Sequence, residues 1–138
     1  MKFFSKLAIT SAVLALAFIS TASAQSMRVH VPFGFHAGDQ ALPAGTYNVS
    51  LNQATQGVRL RTLDGKANCF LIVKASGGAA IPDSGSLVFH RYGNSYFLAK
   101  VKPAGVAGGA ELFTSRAERE SAKVQPEPKP TLIIAANR

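Results

Sequence analysis

The sequence predicts an all-β domain, a small antiparallel sandwich or barrel of about seven strands with one short C-terminal helix, and three observations carry that prediction. Apolar and polar residues alternate with period two in one segment after another. The pairs Asp64-Gly65 and Gly93-Asn94 separate such segments, and both favour the positive φ that tight hairpins need. Turn signals return every 8 to 12 residues, with no longer repeat that would indicate a solenoid.

Residues 1–24 read as a signal peptide rather than as part of the fold. Lys2 and Lys6 form a positive start, and Leu7 to Ile19 is an apolar stretch of 13 residues, short of the roughly 20 that a helix needs to cross a bilayer. Ala22-Ser23-Ala24 supplies the small-x-small pattern that signal peptidase accepts, so cleavage is expected between Ala24 and Gln25. The expectation is an exported protein, periplasmic or extracellular, with no membrane span.

The domain is expected over residues 25–124. Its first strand runs Met27 to Phe35, where Val29, Val31, Phe33 and Phe35 share one side; Pro32 lacks an amide hydrogen, which assigns the strand to an edge or a bulge. Thr46 to Asn52 alternates strictly, with Tyr47, Val49 and Leu51 opposite Asn48, Ser50 and Asn52. Pro43 and Gly45 shape the turn before it, and Tyr47 is expected to bury its ring while its hydroxyl finds a backbone acceptor. Val58 to Thr62 follows, and Asp64-Gly65 joins it to Lys66–Ala75 as a hairpin with a type I′ turn. The unbroken apolar run Cys69 to Val73 predicts a central strand covered on both faces, with a buried helix as the alternative that periodicity alone leaves open.

A loop from Ser76 to Gly85 leads to a second hairpin, Ser86–Tyr92 and Ser95–Lys102 around Gly93-Asn94. Ser115-Arg116-Ala117-Glu118 fits a capping box, so a helix is expected near residues 116–124, packing through Ala117 and Val124. Pro126, Pro128 and Pro130 make residues 125–138 a proline-rich spacer with a terminal strand, Thr131 to Ala136. That strand can dock within its own chain or join a second copy through self-association.

Charge narrows the function classes. The 15 Lys and Arg against 7 Asp and Glu give +8 for the whole chain, and loss of Lys2 and Lys6 with the leader leaves +6. Arg28 with His30, Arg59 with Arg61, and Lys100 with Lys102 alternate on single strand faces, so the six are candidate polyanion contacts for polysaccharide or DNA. The same residues also serve simply to solvate a sheet face and discourage edge pairing. His90, Arg91 and Tyr92 beside the Gly93 turn form a candidate partner-binding hairpin tip.

Catalytic signatures are missing from the sequence. His30, His36 and His90 lack His-x-His spacing and Cys69 stands alone, so no metal site is expected and no disulfide can close within the chain. The apolar neighbours of Cys69 mark it as a small buried hydrophobe. Asp39, Asp64 and Asp83 each sit beside glycine or proline, where a turn role suffices, and no nucleophile elbow or phosphate-cradling loop is present. A non-enzymatic protein without cofactor is therefore expected.

Four stretches, Val31-Pro32-Phe33-Gly34-Phe35, Leu42-Pro43-Ala44-Gly45-Thr46-Tyr47, Val88-Phe89-His90-Arg91-Tyr92-Gly93 and Ser115-Arg116-Ala117-Glu118-Arg119-Glu120, together resemble a family of short exported bacterial proteins of unassigned activity. The resemblance spans roughly residues 28–122, departs from the family pattern at Gly34 where an acidic residue is common, and implies no catalytic residues. The sequence thus points to an exported β-domain with a binding or structural role at the cell envelope or outside the cell. The alternatives are polyanion binding through the basic face and carriage of a small apolar ligand.

Overall fold

Tyr47, Val49 and Leu51, the apolar side of the most regular predicted strand, all face the interior in the computed structural model, which describes residues 25–125 and 127–134. The predicted leader, Pro126 and the end of the predicted terminal segment, Ala135 and Ala136, lie outside the described residues. Among the described residues ten strands and one helix make an all-β fold built on one mixed sheet.

The strands are β1 (Gln25–Val31), β2 (Phe35–Ala37), β3 (Gln40–Leu42), β4 (Gly45–Asn52), β5 (Gly57–Thr62), β6 (Asn68–Ser76), β7 (Ser86–Tyr92), β8 (Ser95–Lys102), β9 (Gly109–Leu112) and β10 (Lys129–Ile134). Antiparallel ladders run β1-β4-β5-β6-β9-β8. β7 covers one edge of β8 along its length; β9 and β2 share the other edge, the latter through a single parallel pair, His36 with Phe97. β10 lies outside β7, β3 outside β2, and β1 comes within 8 Å of β10 between Cα atoms.

The count exceeds the expected seven because β2, β3 and β9 have only three or four residues each, too few for periodicity to show. The predicted Met27–Phe35 strand splits around Pro32: β1 stops at Val31 and pairs only with β4, and Phe35 opens β2.

Both predicted hairpins form, the first with a turn different from the one expected. At Asp64-Gly65 only Gly65 has positive φ, 76°, so the type I′ turn is replaced by a longer loop closed by Thr62 N donating to Ala67 O at 3.0 Å. Asp64 holds that loop by accepting from the Thr62 hydroxyl at 2.7 Å and from Lys66 N at 2.9 Å. At Gly93-Asn94 only Gly93 has positive φ, 62°, as in a type II′ turn.

The core gathers alternate residues from most strands, with Val29, Val31, Tyr47, Val58, Leu60, Leu87 and Phe89 all fully enclosed. Phe35 meets both Tyr47 and Phe89 edge-on, at 5.3 and 5.2 Å between centroids, so aromatic rings fill the interior. The Tyr47 hydroxyl donates to the carbonyl of Pro43, which satisfies its one polar group as the sequence predicts. Cys69 is buried as a small hydrophobe. β6 as a whole corrects the expectation of a doubly covered strand: Cys69 and Val73 face the core while Phe70 and Ile72 face solvent.

Helix α1 (Arg116–Val124) begins where expected, with Ser115 accepting from Glu118 N at 3.1 Å. Only half of the capping box forms. Glu118 is instead the buried residue of α1 and directs its carboxylate away from the cap, while Val124, expected to pack, is exposed. β10 docks antiparallel on β7 of its own chain, and Ile133 packs against the core.

Candidate functional site

Opposed residues of an antiparallel ladder share a face, so the register fixes which predicted basic residues meet. Arg28 pairs with Asn48, Asn48 with Arg61, and Arg61 with Asn68, one row across β1, β4, β5 and β6. The next row is Ser26, Ser50, Arg59 and Phe70. Neighbouring strands are about 4.8 Å apart, so the backbones carrying Arg28 and Arg61 are separated by roughly 10 Å, close to the Debye length of physiological salt. Arg59 and Arg61 stand two residues apart on the same face of β5.

All three arginines are exposed. The ion pairs among the described residues are Lys74 with Glu111, His90 with Glu118 and Arg116 with Glu120, so none neutralises Arg28, Arg59 or Arg61. His30 lies beside this group, its Nδ1 3.1 Å from the Thr46 hydroxyl. The carboxylate in the adjoining β5–β6 turn is Asp64. The hydrogen bond from Thr62, with a second from the Lys66 amide, lowers its pKa from the ordinary value. The result is an exposed face on which guanidinium groups alternate with Asn and Ser, bordered by Phe70 on β6.

Lys100 and Lys102 do not join these rows. They sit on β8, beyond β9, where Glu111 stands opposite both Lys100 and Lys74 and divides the positive charge.

The predicted hairpin tip has a different character from the one expected. His90 and Tyr92 point toward α1, where Glu118 Oε1 lies 2.8 Å from His90 Nδ1 and accepts from the Tyr92 hydroxyl at 3.3 Å. Burial, then the Glu118 charge, raises the Tyr92 phenol above its ordinary pKa. Arg91 alone stays exposed, donating to Gly93 O at 2.6 Å with its guanidinium 5.5 Å from the Tyr96 ring centroid. Next to this group His36 stacks on Phe97 at 4.9 Å, its buried Nδ1 without a hydrogen-bond partner among the described residues.

Sequence reasoning missed two features. Glu118 was legible only as a cap. Phe70 and Ile72 were hidden inside an apolar run whose alternation composition conceals, although Arg59 and Arg61 one strand away were the signal that this face is outward. Among the described residues no group of three or more His, Cys, Asp or Glu is placed to hold a metal ion, and no helix is long and apolar enough to cross a membrane. Comparison of the chain with protein-family models, with curated proteins and with solved structures finds no match.

Proposed function

We propose that the protein is an exported, non-enzymatic β-domain that binds acidic groups of the cell envelope or extracellular matrix through the outer face of β1, β4, β5 and β6. The observation that supports this reading is the convergence of Arg28, Arg59 and Arg61 on one exposed face, none of them paired with a carboxylate among the described residues. Guanidinium groups offer forked donors that match carboxylate, sulfate and phosphate oxygens, and the intervening Asn48, Ser50 and Asn68 offer neutral donors and acceptors for hydroxyls. Export follows from the leader pattern at residues 1–24.

The test is retention on immobilised acidic polysaccharide, with DNA as a second polyanion, across a salt series. Retention at low ionic strength that falls steeply with salt is expected, and each of Arg28→Ser, Arg59→Ser and Arg61→Ser should reduce the slope of log affinity against log salt by on the order of one unit. Absence of retention on either matrix at low ionic strength overturns the reading.

A further inference from the structure

The same outer face carries apolar side chains that an acidic polymer has no use for. Phe70 is 55% exposed, Ile72 67% and Phe113 60%, large values for residues of this size on a protein with a filled core. Phe70 and Ile72 alternate on the solvent side of β6, and Phe113 follows directly after β9, whose Leu112 pairs with Val73. Gly57 stands opposite Ile72 and has no side chain to cover it; the Phe70 ring leans over Gly57, filling the place where a Cβ would be, 2.6 Å from its nearest atom. The three exposed side chains therefore form one apolar ridge along β6 and the end of β9, with Ile72 and Phe113 lining one groove.

Each ring of the ridge has its own cation. The Arg59 guanidinium lies 5.9 Å from the Phe70 centroid and the Lys74 ammonium 5.7 Å from the Phe113 centroid. A groove of about 320 Å³ beside Ile72 and Phe113 is also lined by Arg116 and Arg119. The acidic groups nearby are already engaged: Glu111 with Lys74 at 3.9 Å, Glu120 with Arg116 at 3.5 Å, and Asp39 accepting from Ala117 N at 3.4 Å. Among the described residues Arg59 and Arg61 are left without a carboxylate partner beside an apolar crest, while Arg119 shares the groove with the Asp39 carboxylate.

We propose that this ridge seats in the surface of an anionic lipid bilayer, with Phe70, Ile72 and Phe113 entering the headgroup boundary and the flanking arginines contacting lipid phosphates. The inference rests on reading the face as anion-binding and names its partner. Charge selects an anionic surface. Ile72, the most exposed of the three, selects lipid over soluble polysaccharide, because an aliphatic side chain gains free energy only where hydrocarbon replaces water.

The chain is expressed in full, collected after export, and sedimented with vesicles of phosphatidylglycerol and phosphatidylcholine or of phosphatidylcholine alone. Binding to the anionic vesicles only is expected. The combined change Phe70→Ser, Ile72→Ser and Phe113→Ser should weaken it by at least about tenfold at physiological salt while retention on acidic polysaccharide is unchanged. Because the chain has no Trp, Phe70→Trp supplies a single reporter whose emission should shift to shorter wavelength on anionic vesicles. Polysaccharide retention without vesicle binding overturns the lipid inference and leaves the proposed function standing. Loss of both overturns both. Vesicle binding that ignores the serine changes and leaves the reporter unshifted overturns the ridge.

Discussion

Glu118 on α1 accepts a hydrogen bond from His90 on β7 across 28 residues of sequence, with 2.8 Å between Oε1 and Nδ1. A helix of nine residues has too few turns to persist by itself, so its place depends on what it touches. Glu118 is the buried residue of α1, and its carboxylate also accepts from Tyr92. The hairpin tip and the helix are thus one unit, and the contact that links them is polar.

His90→Ala leaves the buried carboxylate with Tyr92 as its remaining side-chain partner and should cost about 1 to 3 kcal/mol. Urea unfolding of His90→Ala, Glu118→Gln and the double variant measures the coupling. A coupling of about 1 kcal/mol or more is expected, and simple additivity would show that the pair does not hold the helix.

Two phenols make stability fall in alkali. Burial, followed by the Asp64 charge for Tyr47 and the Glu118 charge for Tyr92, raises both pKa values above the ordinary 10.0. An unfolded tyrosine loses its proton near pH 10 while the folded one keeps it, so above that point the unfolded state binds fewer protons and ∂ΔG/∂pH is negative. The contribution is complete below about pH 10 and is lost as pH rises through the folded pKa values. Melting temperature against pH from about 8 to 11.5 should fall less steeply for Tyr47→Phe and Tyr92→Phe than for the parent chain. Equal slopes would remove the phenols as the cause.

The strand pattern was legible wherever one face is wet. Tyr47, Val49 and Leu51 alternate with polar residues, and β4 forms as read. β6 departs from the doubly covered strand that its composition predicts because Phe70 and Ile72 are apolar residues at solvent positions, and hydrophobicity alone does not distinguish a covered face from an exposed apolar one. The grouping of Arg28 with Arg59 and Arg61 depends on β1 pairing with β4 and β4 with β5, which a sequence read one strand at a time does not specify. Glu118 looked like a cap because local spacing is visible, whereas its partner His90 is a tertiary neighbour.

Gly57 governs the apolar ridge. An added Cβ would lie 2.6 Å from the Phe70 ring, and Phe70 is an exposed side chain able to swing away. Gly57→Ala should therefore change unfolding free energy by no more than about 1 kcal/mol yet displace the ring from Arg59. Combined with Phe70→Trp it should alter the reporter's emission in the absence of any ligand. An unchanged spectrum would mean that the ring does not rest on Gly57.

Cys69 should react slowly. Its thiol is buried opposite Leu60 on β5, and burial pushes its pKa above the ordinary 9.0, so little nucleophilic thiolate is available to reagents in the folded state. Alkylation by iodoacetamide near neutral pH should follow the small population in which the β5–β6 ladder is open and accelerate in denaturant in step with unfolding. Rapid labelling in native buffer would contradict the burial.

β10 protects an edge that would otherwise template pairing. It matches β7 from Lys129 opposite Arg91 to Ile134 opposite Ser86, and it bears Pro130, which an outer strand tolerates because one of its sides carries no ladder. Deleting residues 126–138 removes the Ile133 contact with the core, worth roughly 2 kcal/mol, and uncovers Ser86 to Arg91 of β7. A long unpaired strand is prone to join a second chain. The truncated protein should melt at least about 5 °C lower and show concentration-dependent association by light scattering, and a peptide spanning residues 127–138 added in trans should reverse both changes. A truncated chain that stays monomeric with an unchanged melting point would show that β7 needs no partner, and a full-length chain that already forms dimers would place β10 on a neighbour's β7 instead.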